Sequence, residues 1–151
     1  MTSKELVLKI HRDKGRADAL ALREKAAAGT ITDTEIIDRE EAVPAWGHKN
    51  YIGCAIDTPV SHEGQVYGLV QPYDASIHTD TAPGTANGAP FWRVKHTTNP
   101  AKAKPWVQPD AVNLYKIGEC MIWTDGLVYQ SQRDTTYSPE EYAPDWLRVE
   151  V

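Results

Sequence analysis

The stretch GLVYQSQRDTTYSPEEYAPDWLRV, residues 126–149, has a near-duplicate earlier in the chain, GQVYGLVQPYDASIHTDTAPGTANGAPFWRV, residues 64–94. Both open Gly-x-Val-Tyr, pass through a loop rich in Ser, Thr and Asp, and close with a Pro two residues before Trp and then Arg-Val. Short runs of alternating apolar residues separated by turn residues are typical of β-strands and hairpins. We therefore expect two related, small β units in one chain of 151 residues.

Two hairpins anchor the alignment of these units. HEGQVYGLV, residues 62–70, and IWTDGLVYQSQ, residues 122–132, each place an acidic residue and a glycine at the turn. We expect Gly64 and Gly126 to take the positive-φ position of those turns.

The matched framework extends on both sides of the hairpins, from Trp46 to about Val94 and from Trp106 to Val149. A unit of about 45 residues has little interior, so large aromatic side chains must supply much of its core. The first unit contributes Tyr51, Gly53, Val60, Gly64, Tyr67, Pro90 and Trp92, matched in the second by Tyr115, Gly118, Ile122, Gly126, Tyr129, Pro144 and Trp146.

The N-terminal part of the chain has a helical pattern instead. Capping-box spacing of Thr and Glu recurs at Thr2/Glu5 and Thr32/Glu35, Gly29 is a C-cap candidate, and an apolar stripe follows Leu6, Ile10, Ala17 and Leu20. The predicted fold is mainly β with an N-terminal α-helical arm. The predicted segments are the arm (1–45), the first module (46–98), a Pro-rich linker (99–112) and the second module (113–151).

Composition limits the functional classes. The net charge of −5 without a basic patch argues against nucleic acid as the ligand. No apolar run reaches the ~20 residues of a membrane span, and the N-terminus lacks a signal-peptide core, so we expect synthesis in the cytoplasm and no membrane insertion. No nucleophile motif is present, and His78 with Asp80 lacks a third metal ligand. We expect no catalytic residue, metal or cofactor. Free thiols are the favoured state of Cys54 and Cys120, and a disulfide between them is the alternative.

The framework resembles the small chitin-binding modules of carbohydrate-binding families five and twelve. The resemblance rests on Tyr115-Lys-Ile-Gly118, Ile122-Trp-Thr-Asp-Gly126-Leu-Val-Tyr129, Pro144-Asp-Trp146 and, in the first unit, Tyr67-Gly-Leu-Val-Gln71-Pro72. Helices followed by two such modules also resemble small virion proteins of phages and prophages of Gram-positive bacteria.

The resemblance implies where a sugar would stack. Related modules carry ligand-stacking aromatic residues just after the Tyr-led strand and nine residues before the closing Trp. Tyr73 occupies the first place in the first unit, and Tyr137 the second place in the second unit. Trp123 follows the inward-facing Ile122, so we expect it to point outward and to offer a third contact. Each unit thus keeps about half of an aromatic platform.

These features favour a non-catalytic virion protein (tail, fibre or decoration) that displays carbohydrate-binding-type modules to bacterial surface polysaccharide or peptidoglycan. It would be made in the host cytoplasm and incorporated into the virion in many copies or as a homo-oligomer, contacting other virion proteins through its N-terminal helices. The alternatives are a purely structural scaffold or assembly protein without sugar binding, and a chitin-binding accessory module of a secreted hydrolase.

Overall fold

The N-terminal segment is one long helix. The computed structural model describes residues 2–151, the side chains of residues 7–13 excepted, so the predicted place of Ile10 in the apolar stripe lies outside the described residues. Helix α1 spans Ser3–Ala27, and both halves of the Thr2/Glu5 capping box are formed. Gly29 takes a φ of +68° just after the helix, as its predicted capping role requires.

A second helical segment joins the arm to the body. Helix α2 spans Asp33–Asp38, begins with the predicted Thr32/Glu35 capping box, and continues as a 3₁₀ turn over Glu40–Ala42. Its isoleucines are fully buried in a cluster that also takes one residue from the first β-sheet: Leu22, Ala26, Ile36, Ile37, Val43 and Val66. Among the α1 side chains that the structure describes, those buried in this cluster are Leu22 and Ala26, near the end of the helix, whereas α2 buries both of its isoleucines.

The first module is a three-stranded antiparallel sheet. Strands β1 (Pro59–His62), β2 (Gln65–Leu69) and β3 (Trp92–Val94) lie in that order. Both turn residues of the β1–β2 hairpin have positive φ, +48° at Glu63 and +78° at Gly64. This is the two-residue turn whose twist matches that of the flanking strands, as the sequence predicts.

The second module is a four-stranded sheet that begins inside the predicted linker. Strands β4 (Lys104–Pro105), β5 (Cys120–Ile122), β6 (Val128–Ser131) and β7 (Trp146–Val149) lie in chain order. The β4–β5 pairing is parallel, and the others are antiparallel. Residues 99–112 are therefore not a free linker, because they also form a 3₁₀ turn and supply Trp106 to the second core. The first module has the matching parallel bridge between Ala45 and Ser61.

The register of the hairpins corrects the predicted alignment by one residue. Val60 pairs with Tyr67 in the first module, whereas Met121, and not Ile122, pairs with Tyr129 in the second. Met121 is fully buried, and Ile122 is only half-buried. The cause is one additional residue in the second turn, and a one-residue slip exchanges the two faces of a strand.

The same shift changes the glycine correspondence. Asp57, at φ +73°, and Gly118, at φ +89°, hold equivalent positions three residues before the inward side chain. The Asp57 N–H donates to the Leu69 carbonyl at 2.7 Å, and the Gly118 N–H donates to the Ser131 carbonyl at 2.9 Å. Gly53, the predicted match of Gly118, has no positive φ.

Each module has its own aromatic core, built on one plan. In the first module the Gly47 N–H, just after Trp46, donates to the Tyr51 hydroxyl at 3.1 Å. In the second module the Val107 N–H, just after Trp106, donates to the Tyr115 hydroxyl at the same distance. The first core contains Tyr51, Val60, Tyr67, Leu69, Tyr73, Ala75 and Trp92, and the second Tyr115, Met121 and Trp146 with the half-buried Trp106, Trp123 and Tyr129.

Polar contacts connect α2, the first module and the second. The Lys95 side chain is fully buried, and its Nζ lies 2.8 Å from Asp33 Oδ1 and 2.6 Å from Asp57 Oδ1. Gln65 Nε2 donates to the Pro105 carbonyl at 2.9 Å. These hydrogen bonds join the parts of the body in addition to the apolar cluster that Val66 shares with α1 and α2.

Candidate functional site

Tyr73, one of the three predicted sugar contacts, lies in the core of the first module. It exposes 6% of its surface. Its ring stacks on Phe91, with centroids 4.0 Å apart and planes at 18°. Its hydroxyl accepts hydrogen bonds from Trp92 Nε1 at 2.8 Å and Thr81 Oγ1 at 3.0 Å. Because so little of the Tyr73 side chain reaches the surface, neither face of its ring is open to a sugar.

Trp123 also differs from its expected orientation. Side chains alternate between the two faces of a strand, so Trp123 lies on the same face as Met121, two residues earlier, and not on the face of Ile122. Met121 is buried. Its ring is half-buried and packs edge-on against Trp106, with centroids 5.4 Å apart. The prediction that Trp123 points outward is wrong, for the same one-residue reason that changes the hairpin alignment.

Tyr137 is presented to solvent. Its side chain is 49% exposed, while its backbone is held on both sides. The Tyr137 N–H donates to Thr135 Oγ1 at 3.0 Å, and the Tyr137 carbonyl accepts from the Trp146 indole at 2.8 Å. An exposed ring on a fixed backbone loses little conformational freedom when a ligand stacks on it.

A second exposed tyrosine, which the sequence reasoning left without a role, completes this surface. Tyr142 is 41% exposed, and its ring lies edge-on to Tyr137, with centroids 6.2 Å apart. Arg133 Cζ lies 5.0 Å from the centroid of the Tyr142 ring, within the range of a cation–π contact. The available signal was the position of Tyr142 four residues before the closing Trp146. We call Arg133, Tyr137 and Tyr142 the aromatic surface of the second module.

Buried polar groups support this surface from below. Asp145 is 1% exposed, accepts a hydrogen bond from Thr135 Oγ1 at 2.5 Å, and forms an ion pair with Arg133 Nε. Arg133 is therefore held between a buried carboxylate and the Tyr142 ring. Three acidic residues of the same segment are exposed, Asp134, Glu140 and Glu141. Exposed aromatic faces beside polar side chains suit a neutral, hydroxyl-rich ligand.

The equivalent positions of the first module are closed. Phe91 is equivalent to Asp145, because the Val70 N–H donates to the Phe91 carbonyl as the Gln132 N–H donates to the Asp145 carbonyl. Tyr73 is likewise equivalent to Thr135. Tyr73 and Phe91 form an aromatic stack at the place where the second module has Thr135 and Asp145. One scaffold thus carries an apolar stack in the first module and a buried polar pair in the second. Exposed tyrosines occur among the described residues only in the second module.

Titratable groups with shifted pKa values lie away from the aromatic surface. Burial lowers the pKa of His96 to about 4, and its ring stacks on Tyr115 with centroids 3.9 Å apart. Burial raises the pKa of Glu119, whose Oε1 accepts the Lys116 N–H at 2.6 Å. Both groups line a cavity of about 40 Å³, which holds little more than a water molecule.

None of the helices that the structure describes combines the length and apolar content needed to cross a bilayer. No protein-family model matches the chain, and a search of curated proteins finds no relative.

Proposed function

We propose that this chain is a non-catalytic phage structural protein, of the tail, fibre or decoration type, that contacts bacterial surface glycans through the aromatic surface of its second module. The observation that carries the proposal is the exposed Tyr137 ring on a backbone that Thr135 and Trp146 hold from both sides. The duplicated framework that resembles carbohydrate-binding modules supports the same class of ligand. Polysaccharide or peptidoglycan on the cell surface is the proposed partner.

The first module has a supporting role in this proposal. Its core encloses Tyr73, so it adds buried surface and a rigid contact to the second module rather than a second sugar site. Binding by one surface per chain is weak, and the many copies on a virion would multiply the avidity.

The test is retention of the purified protein, coupled in many copies to beads, on chitin, peptidoglycan and whole Gram-positive cells. Wild type is compared with Tyr137→Ala and Tyr142→Ala. Ile77→Ala serves as the matched control, because Ile77 is 72% exposed and lies in the first module. We expect retention by wild type and the control and a loss of about fivefold or more in both tyrosine variants, because a stacked ring contributes about 1–3 kcal/mol. Equal retention of all four proteins would exclude the aromatic surface.

A second candidate function, a structural scaffold without sugar binding, is supported by a different observation. Ile56 and Ile117 occupy equivalent positions in the two modules, each just before the positive-φ residue, and are 66% and 65% exposed. Exposed apolar side chains repeated on one scaffold suit contacts with neighbouring proteins. No retention of the wild type on any glycan, with incorporation into particles lost in an Ile56→Ser/Ile117→Ser variant, would favour this function.

A further inference from the structure

The last strand of the second sheet, β7, has an open edge. The Gln132 N–H donates to the Asp145 carbonyl, and β6 and β7 are antiparallel, so Asp145 and every second residue after it direct their backbone groups to β6. The N–H and C=O of Arg148 therefore point away from the sheet. Outside the β6–β7 ladder, no described group bonds to the backbone of Arg148 or of Glu150. An edge of this kind is a template for another strand.

The side chains along this edge alternate in character. Apolar Leu147, Val149 and Val151 are separated by a basic residue, Arg148, and an acidic one, Glu150. In an extended strand this order puts the apolar side chains on one face and the two charges on the other. Leu147 and Val151 are 53% and 77% exposed. Neither charged side chain forms an ion pair within the described part of the chain, so both are available to a partner.

This order of residues is complementary to itself in one antiparallel register. When Val149 lies opposite Val149 of a second copy, a two-fold axis passes between them, and Arg148 of each copy lies opposite Glu150 of the other. Leu147 then lies opposite Val151. Arg148 and Glu150 occupy alternate, outward-facing backbone positions, so both backbone hydrogen bonds of each such pair form. The neighbouring symmetric registers would oppose Arg148 to Arg148 or Glu150 to Glu150, which is destabilising.

An apolar row on the sheet leads to the same position and is an independent observation. Ile122, Val128 and Val149 lie side by side across β5, β6 and β7, and all three are half-buried. The row reaches the open edge at Val149, the residue on the axis of the self-complementary register. Pairing of two copies would continue the row across the joint and remove apolar surface from water.

The corresponding edge of the first module is covered within the chain. By the register of the two sheets, Val94 and His96 occupy the places of Arg148 and Glu150. The His96 ring stacks on Tyr115 of the second module, with centroids 3.9 Å apart. The first module therefore offers neither the charges nor the open edge that β7 has.

We propose that two copies of this chain associate through their β7 edges, antiparallel and centred on Val149, and join their second-module sheets into one continuous sheet. The partner is a second copy because the complement of residues 147–151 is the same five residues turned by 180°. The inference names a contact surface for the multi-copy assembly in the proposed function. It does not depend on sugar binding, so glycan retention and self-association fail independently of each other.

The test measures the molar mass of the purified full chain by sedimentation velocity over about 5–500 µM, because an interface of this size lies at the weak end of specific contacts. The variants are Arg148→Glu, Glu150→Arg and the combination of both changes. Lys116→Glu is the matched control, since Lys116 is exposed and lies outside β7. Circular dichroism verifies that each variant is folded. Amide exchange of the wild type, measured residue by residue by NMR across the same concentrations, locates the contact.

We expect wild type and Lys116→Glu to dimerise as concentration rises. Each single β7 variant should dimerise about tenfold or more weakly, because both symmetric pairs become like charges, and the charge-exchanged variant should regain dimerisation. Protection of the Arg148 and Glu150 amides should increase with concentration, whereas Leu147 and Val149, which already bond to β6, should not change. A wild type that is monomeric at the highest concentration would overturn the proposal. Failure of the charge-exchanged variant to dimerise, or dimerisation without protection at Arg148, would also overturn it.

Discussion

The indole Nε1 of Trp92 donates a hydrogen bond to the hydroxyl of Tyr73 at 2.8 Å inside the first module. The equivalent indole of the second module, that of Trp146, donates instead to a backbone carbonyl, that of Tyr137. The same closing tryptophan thus holds a tyrosine inside one module and the backbone of an exposed tyrosine in the other. Of these two tyrosines, Tyr73 is 6% exposed and Tyr137 is 49% exposed, so the open ring lies in the second module.

The Tyr73 hydroxyl is the first target for mutation. It accepts hydrogen bonds from the Trp92 indole and, at 3.3 Å, from the Trp46 indole, and it is bonded to Thr81 Oγ1, which also donates to the His78 carbonyl. Tyr73→Phe leaves the buried Trp92 indole N–H unpaired, and we expect a loss of about 1–3 kcal/mol in the free energy of unfolding. Urea denaturation measures it. Tyr137→Phe is the control and should change stability by less than ~0.5 kcal/mol, since that side chain is exposed.

Lys95 is the second target, because its buried ammonium links α2 to the first module through Asp33 and Asp57. We expect Lys95→Met to lower the free energy of unfolding by about 2–4 kcal/mol. This loss is smaller than the loss from breaking a fully buried ion pair, because the carboxylates of Asp33 and Asp57 are each about a third exposed. Lys116→Met, at an exposed position, is the control. A thermal melt in which both variants match wild type would contradict the role of this ion pair.

Asp145 tests whether the aromatic surface depends on its buried support. Asp145→Ala removes the acceptor of Thr135 and the partner of Arg133, and we expect a loss of about 1.5–3 kcal/mol in stability. The Tyr137 loop should also exchange its amide protons faster, because Thr135 holds the Tyr137 N–H. Hydrogen exchange followed by mass spectrometry checks this, with the exposed Glu140→Ala as control. Unchanged exchange at residues 135–142 would count against the support.

His96 makes stability depend on pH. Burial lowers the pKa of His96 to about 4, so the folded protein disfavours a proton that the unfolded chain accepts near pH 6.5. The stability that neutral His96 contributes is fully present above about pH 6.5. It is lost as the pH falls from 6.5 towards 4, and the total loss in the free energy of unfolding is about 3 kcal/mol. Urea unfolding at pH 7, 5.5 and 4.5 measures the loss. His96→Phe keeps a ring against Tyr115 and should flatten the curve between those limits, and parallel curves for the two proteins would disprove the assignment.

The two free cysteines should differ in reactivity. Cys120 is buried, and burial together with Glu119 raises the pKa of its thiol to about 11, whereas Cys54 is half-buried. Because the thiolate is the reactive form, we expect one fast thiol with Ellman's reagent in the native protein and two after denaturation. Cys54→Ser should remove the fast reaction. A fast reaction that remains in Cys54→Ser would place the reactive thiol at Cys120.

The elements that depend on nearby residues could be predicted. The two capping boxes, the Glu63–Gly64 turn and the positive φ of Gly126 follow from contacts within four residues. The closing tryptophans of the two cores were also predictable, since few other side chains are large enough to fill modules of this size.

The repeat, the helix caps, the hairpins and the aromatic cores were thus determined by the sequence itself, because each depends on local spacing or on side-chain size. The tertiary structure decided which aromatic rings are exposed. Tyr73 is covered by Phe91, eighteen residues later in the chain, and Trp123 turns inward because one additional residue in a turn shifts its strand by one position. Exposure depends on what distant segments place over a side chain, and no local pattern carries that information.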